Sequence, residues 1–208
     1  MKSKQIIGIF SHLFFIFGLK VKNQTLLIFL LGISMTACAE TDTRSWQEEV
    51  KLLDGRVIMI ESKFGYPRGV FREAWITLKL PETGNEETTW HEHLMPGNLN
   101  VVNGKLYIVG TTETTVEFRL YSFPRPPQVG YIYDNKVWKR IPFNEIPEAM
   151  YDMNLLEGAP EPNQSGAVTL AYKNKKFADP RMSKYARRID PLEKYPNDEA
   201  ERNCPHCN

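Results

Sequence analysis

Glu49-Val-Lys-Leu-Leu53, Asp54-Gly55 and Arg56-Val-Ile-Met-Ile-Glu61 follow one another without interruption. Two apolar runs flank a dipeptide whose members both tolerate positive φ, so the stretch reads as a β-hairpin with a two-residue turn. In the second run Val57 and Met59 fall on one face and Ile58 and Ile60 on the other, so that strand is expected to be buried on both sides. The same pattern recurs along the chain. Residues 73–80 (EAWITLKL) alternate, with Trp75, Thr77 and Lys79 opposite Ile76, Leu78 and Leu80. Pro81-Glu-Thr-Gly-Asn85 ends that strand, and residues 86–93 (EETTWHEH) return as its partner. Asn100-Val-Val, Asn103-Gly104 and residues 105–109 form a third unit around the favoured Asn-Gly turn. Residues 115–123 (TVEFRLYSF) read as a strand that stops at Pro124-Arg-Pro-Pro127, because proline offers no N–H to a ladder. Residues 129–133, Asp134-Asn135 and residues 136–141, which carry Trp138, make a further hairpin.

Helix is scarce. Residues 143–151 hold a turn or two, residues 153–156 read as a short strand, and residues 159–166 (APEPNQSG) as a loop before a last strand at 167–172. Strands at this spacing, with no helical pattern between them, predict a mainly β fold: an antiparallel sandwich, barrel or partial propeller built of hairpins. No repeat of fixed period supports the propeller. The β-rich domain is expected over residues 46–172. A charged, Pro-punctuated extension follows over 173–208, with short helices at 182–189 and 197–202, the latter capped by Asn197.

Charge is divided unevenly. The first 37 residues hold no Asp or Glu and four lysines, leaving 22 basic against 25 acidic residues from Cys38 onward, a net of −3. That balance argues against a polyanion-binding surface, which needs clustered positive charge to displace counterions, so no nucleic-acid partner is expected.

Two apolar runs precede Cys38, residues 6–19 (IIGIFSHLFFIFGL) and 26–35 (LLIFLLGISM), each shorter than the roughly 20 residues of a spanning helix. Lys20 and Lys22 before the second run, and Thr36-Ala37 after it, supply the order of a secretory signal over residues 1–37. Met35-Thr-Ala-Cys38 resembles the lipobox of bacterial lipoprotein signals. An ordinary signal peptide, or a membrane-anchoring hairpin of both runs, remains the alternative. The resemblance implies cleavage before Cys38, a lipidated tether over residues 38–45, and a diacylglycerol thioether on Cys38. Ala39, standing where an aspartate retains such proteins in the inner membrane, implies the outer membrane in a Gram-negative cell. In a Gram-positive cell it implies the outer face of the only membrane. The second run with its lysines is a complete signal by itself, so residues 1–20 are expected to be an over-extended gene start.

Trp46-Gln-Glu-Glu-Val-Lys-Leu-Leu-Asp-Gly-Arg-Val-Ile, with Pro126-Pro127, Tyr131-Ile-Tyr133, Trp138-Lys-Arg-Ile-Pro142 and Ile146-Pro147, is similar to a family of uncharacterised proteobacterial lipoproteins across residues 46–156. The likeness implies a Gram-negative envelope and no particular activity.

Two places could carry chemistry. Cys204-Pro-His-Cys207 resembles the active motif of periplasmic thiol oxidases of the thioredoxin superfamily, whose first cysteine begins a helix that stabilises thiolate. Only Asn208 follows Cys207, so that helix is not expected. A disulfide between Cys204 and Cys207 suits an oxidising compartment but closes too short a loop to stabilise much. Capture of zinc or copper by Cys204, His206 and Cys207 is a third reading, completed by a partner protein or by His91 and His93. In Trp90-His-Glu-His93 a strand would put His91 and His93 on one face, within reach of one ion, and turn Glu92 away. Trp46, Trp75, Trp90 and Trp138 are expected in the core more than on a glycan- or peptide-binding face. Phosphate-loop, nucleophile-elbow and zinc-protease motifs do not occur. The expectation is a non-enzymatic envelope lipoprotein that binds the membrane through its anchor, and an envelope protein or cell-wall component through its β domain. Its alternative is an envelope metal-binding or thiol-redox protein using the tail.

Overall fold

The computed structural model describes residues 42–66, 71–158, 160, 166–179 and 188–192. Cys38, the signal segment, the helix expected at 197–202, residues 182–187 of the helix expected at 182–189, and Cys204, His206 and Cys207 lie outside the described residues. At the end of the 182–189 stretch, Arg188 makes a β-bridge to Asp152 instead of helix. Among the described residues, eight strands make two antiparallel meanders: β1 (Asp42–Lys51), β2 (Val57–Tyr66), β3 (Glu73–Lys79) and β4 (Glu87–Glu92), then β5 (Met95–Val102), β6 (Lys105–Thr111), β7 (Gln128–Asp134) and β8 (Val137–Ile141). Each sheet keeps its strands in sequence order. The chain is mainly β, as its alternation predicts, and takes the sandwich form.

Period-two alternation sorts the side chains. Trp46, Phe64, Ile76 and Trp90 of the first sheet and Leu99, Ile108 and Tyr131 of the second share one core cluster. Trp90 meets Tyr131 edge-on, with ring centroids 5.8 Å apart. Each such side chain contributes about 1.5–3 kcal/mol by leaving water. The second sheet also buries part of its outer face, where Val109 joins Ile146, Met150 and Ile189 in a smaller cluster. These come from the short 3-10 turns Phe143–Glu145 and Glu148–Met150 and from a return of the chain that hydrogen-bonds Ile189 N to the Tyr151 carbonyl. The first sheet's outer face is open. Val57 and Met59 are 53 % and 47 % exposed while Ile60 is 2 %, which corrects the expectation that this strand is buried on both sides.

The turns differ in detail from their expected form. Lys51 pairs with Val57, and Leu52 N bonds to the Arg56 carbonyl, so the first hairpin has a three-residue loop, Leu53-Asp54-Gly55, instead of a two-residue turn. Gly55 lies at φ 89, where a Cβ is disfavoured, and Asp54 accepts from Arg56 N at 3.0 Å. The expected Asn103-Gly104 turn is present between the paired Val102 and Lys105. In the last hairpin Asp134 pairs with Val137, so the turn is Asn135-Lys136, one residue later than read, with φ 51 and 65. β1 begins at Asp42, paired with Tyr66, so residues 42–45 extend the strand into the stretch expected as tether.

Three local assignments are overturned. Residues 115–120 are not a strand but a helix, α1 (Thr115–Leu120). Thr114 Oγ1 accepts from Glu117 N, and Glu117 Oε2 accepts from Thr114 N at 3.0 Å, a capping box that satisfies donors no strand partner reaches. Residues 153–156 form no strand. Instead, Asn154 N and Leu155 N both bond to the Gly97 carbonyl, and the Asn154 carboxamide bonds both backbone groups of Leu99, covering the β5 edge. At 167–172 only Val168 bridges to Glu48; Thr169 then caps α2 (Leu170–Phe177), which passes through the expected domain boundary.

Candidate functional site

The β4 register places His91 and His93 on one face, with ring centroids 6.4 Å apart, and turns Glu92 to the opposite side. His91 stacks on Trp75 at 4.4 Å and its Nε2 meets Glu73 Oε2 at 2.8 Å. His93 Nδ1 lies 2.7 Å from the Arg72 carbonyl, so the ring donates there and Nε2 faces elsewhere. Lys63 Nζ lies 4.9 Å from the Trp75 ring centre, so that indole is flanked by His91 and by a cation. Among the described residues no group of three or more His, Cys, Asp or Glu side chains is arranged to hold a metal ion. Trp46 and Trp90 are buried, at 7 % and 0 % exposed, whereas Trp75 and Trp138 are half-buried.

A second location, unread in the sequence, lies where β7 leaves the Pro-rich stretch. After α1 the backbone takes Ser122 and Phe123 through successive left-handed positions, φ 62 and 54. Such positions are strained for non-glycine residues and hold only when the surroundings enforce them. Phe123 N bonds to the Phe118 carbonyl at 2.7 Å, and the two rings meet edge-on at 6.1 Å. Thr112 then pins the chain, its N and Oγ1 both donating to the Pro127 carbonyl at 3.0 and 3.1 Å. Across β7, Gly130 allows Ile146 and Ile141 to approach so closely that a Cβ would lie 2.6 Å from Ile146 Cγ1.

These elements border an open cleft of about 430 Å³ lined by Pro124, Arg125, Gln128, Val129, Arg140, Ile141, Pro142 and Phe143. Gln128 is 4 % exposed, and its carboxamide oxygen has no hydrogen-bond partner. Arg140 donates through Nη2 to the Tyr121 carbonyl at 2.8 Å, and its guanidinium carbon lies 5.4 Å from the Tyr121 ring centre. The two contacts hold the guanidinium in place and leave most of its five N–H donors uncommitted. Beyond it, the Tyr121 hydroxyl donates to Glu92 Oε2 at 2.7 Å and accepts from His93 N. Burial, reinforced by Glu92, raises the Tyr121 phenol well above its ordinary value, so it is a neutral donor at physiological pH.

Two carboxyl environments lie outside this cavity. Glu48 and Lys173, 1 % and 2 % exposed, form a buried ion pair at 2.8 Å. Burial pulls the Lys173 amine down, opposed by the charge and hydrogen bond of Glu48. Near α1, Glu113 keeps part of its surface in water, yet crowding by protein, and then the charges of Glu157 and Glu117, pushes its carboxyl up to about 7.

Sequence reasoning brought the histidine pair together and missed Arg125, Gln128 and Arg140. The Pro124-Arg-Pro-Pro127 stretch was the available signal, read there only as the end of a strand. Fold and geometry define a two-sheet antiparallel β protein with a mixed polar and apolar cavity at one corner. Comparison with protein-family models, with curated proteins and with solved structures finds no match.

Proposed function

We propose that this chain is a lipid-anchored protein of the bacterial cell envelope whose β sandwich is a non-enzymatic binding module. One observation carries the anchor: Met35-Thr-Ala-Cys38 closes an apolar run, and the first strand begins at Asp42. Cleavage before Cys38 would leave only residues 39–41 between the acylated cysteine and the sandwich. Several acyl chains, at about 0.8 kcal/mol per buried methylene, hold a protein far more firmly than the marginal grip of one chain. Ala39 favours the outer membrane in a Gram-negative cell, and the resemblance over residues 46–156 favours such a cell. The binding module is supported by the corner cleft, which Arg140 lines with most of its N–H donors uncommitted. An envelope protein or a cell-wall component is the partner class.

Labelling cells with radioactive palmitate tests the anchor. Label should enter the wild-type chain and vanish in Cys38→Ser; label retained by the variant overturns the reading.

A second reading, an envelope metal-binding or thiol-redox protein using Cys204, His206 and Cys207, is favoured by the common face of His91 and His93. Dialysed protein that retains neither zinc nor copper after reconstitution removes the metal half, and titration showing no reactive thiol pair removes the redox half.

A further inference from the structure

We propose that the α1 corner of the domain rests on the membrane that holds the anchor. Val116 and Leu120 enter the headgroup layer, and Arg140 donates to a lipid phosphate. The proposal rests on the anchor reading and adds a phospholipid surface to the partners of the binding module.

Strand register brings the anchor and this corner to one end of the molecule. β1 begins at Asp42, which pairs with Tyr66 at the end of β2. Gly65 pairs with Glu73 at the start of β3, and Ala74 with Glu92 at the end of β4. Only His93 and Leu94 separate β4 from β5. In the second sheet Met95 pairs with Thr111 at the end of β6, Thr111 with Gln128 at the start of β7, and Gly130 with Ile141 at the end of β8. α1 follows β6 at this same end, and Tyr121 just beyond it is tied to β4 through Glu92 and His93 N. Asp42 stands three strand spacings, roughly 14 Å, from the end of β4. Residues 39–42 span at most about 14 Å from Cys38, even fully extended. An acylated Cys38 therefore keeps this end close to the headgroups.

The side chains there suit such a surface. α1 buries Glu117 and Phe118 and turns Val116 and Leu120 outward, 62 % and 56 % exposed. Four residues apart, the two share one helix face. Large apolar side chains left in water beside cations are what an interfacial segment offers to lipid. Arg119 on α1 and Arg140 on β8 are both exposed. Arg140 is held by the carbonyl and ring of Tyr121, the residue after Leu120, so its remaining donors stand near the apolar pair. A guanidinium fork matches phosphate through charge-assisted hydrogen bonds. Glu113, the acid preceding α1, is pushed up to about 7 by burial and then by Glu157 and Glu117, which lessens its repulsion of phosphate. A soluble anion would use Arg140 and leave Val116 and Leu120 in water. An apolar partner would leave the arginines unanswered. A phospholipid surface meets both demands, and the tether places one there in every molecule. Leu53 and Val57 are exposed as well, but they sit at the β1–β2 hairpin, about 30 Å along β1 from Asp42.

The mature acylated protein, reconstituted into vesicles of phosphatidylethanolamine and phosphatidylglycerol with brominated acyl chains, tests the contact, because bromine quenches nearby indoles. The fluorescence added by Leu120→Trp should fall by about half or more relative to unbrominated vesicles, and that added by Val57→Trp should not change. Both substitutions fall at exposed positions, and a thermal melt verifies that each variant folds. Combined with Leu120→Trp, Arg140→Gln should abolish most of the quenching, and Arg140→Lys, which keeps the charge, should restore it. Equal quenching at the two positions, stronger quenching for Val57→Trp, or none for either overturns the docking, while flotation with the vesicles still upholds the anchor. Quenching indifferent to Arg140→Gln, or a loss that Arg140→Lys leaves unrepaired, overturns the phosphate contact. Protein that fails to float with the vesicles overturns the anchor itself and this proposal with it.

Discussion

Glu48 on β1 and Gln128 on β7 are both polar side chains taken out of water, 1 % and 4 % exposed, and the fold treats them in opposite ways. Glu48 Oε1 accepts from Lys173 Nζ and Leu156 N, each at 2.8 Å, and Oε2 accepts from Trp46 Nε1 at 3.1 Å and Ser62 Oγ at 3.5 Å. Those donors come from β1, β2, α2 and the segment after the 3-10 turns, so one carboxylate ties four parts of the chain together. The Gln128 oxygen accepts nothing. Complete satisfaction marks a structural clasp whose ligands are all internal. An unmatched buried acceptor costs stability, so the β7 end is the one a substitution could improve.

The difference between the two regions can be broken at either end. Lys173→Met should cost the most, about 3–5 kcal/mol in chemical denaturation, because it strands a buried carboxylate. The double variant Glu48→Met, Lys173→Met should recover much of that loss; a double variant as unstable as the single one would show that packing, not the charge pair, holds this end. Next comes Gly130→Ala. Its Cβ would stand 2.6 Å from Ile146 Cγ1 and 3.0 Å from Ile141 Cγ1, so overpacking should cost about 1–3 kcal/mol and distort the cavity corner. A thermal melt checks it, and an unchanged midpoint would mean that Ile146 yields freely.

Gln128→Met should move stability the other way, by about 1 kcal/mol, since it removes a buried acceptor that has no partner. Denaturant titration of the ligand-free protein reads the sign. The smallest effect concerns Glu113, beside the Thr112 that pins Pro127. Its carboxyl is raised in the folded state to about 7 from a reference of 4.5. The folded protein therefore holds this proton more tightly, so the contribution is present below the unfolded value and lost as pH rises through the folded one. Between pH 4.5 and 7 wild-type stability should decline relative to Glu113→Gln, measured as the difference in melting midpoint across that window.

How far the sequence could be read depended on the range of the interactions. The β3–β4 pairing, the Asn103-Gly104 turn and the shared face of His91 and His93 were legible because alternation and turn chemistry are local. Residues 115–120 were misread because their alternation also fits a strand, and the Thr114–Glu117 capping box decides between the two. The first hairpin's loop was read one residue too short, with Leu53 placed in the strand, because Asp-Gly also fits a three-residue loop with Gly55 at positive φ. The residues of this corner carried little signal: Arg125, Gln128 and Arg140 are ordinary surface types, and only Gln128 is taken out of water by the chain path.

From sequence alone came the two-sided alternation that makes this a β protein, and the apolar run ending at Cys38 on which the proposed anchor rests. Both are properties of neighbours along the chain. Tertiary structure alone decided which sheet face would be covered, since Val57 and Met59 are as apolar as residues that end in the core. It also decided that Glu48 would find its lysine 125 residues away while the Gln128 oxygen would find no partner. Burial and hydrogen bonding are satisfied between elements distant in sequence, and no local pattern encodes which partner will be within reach.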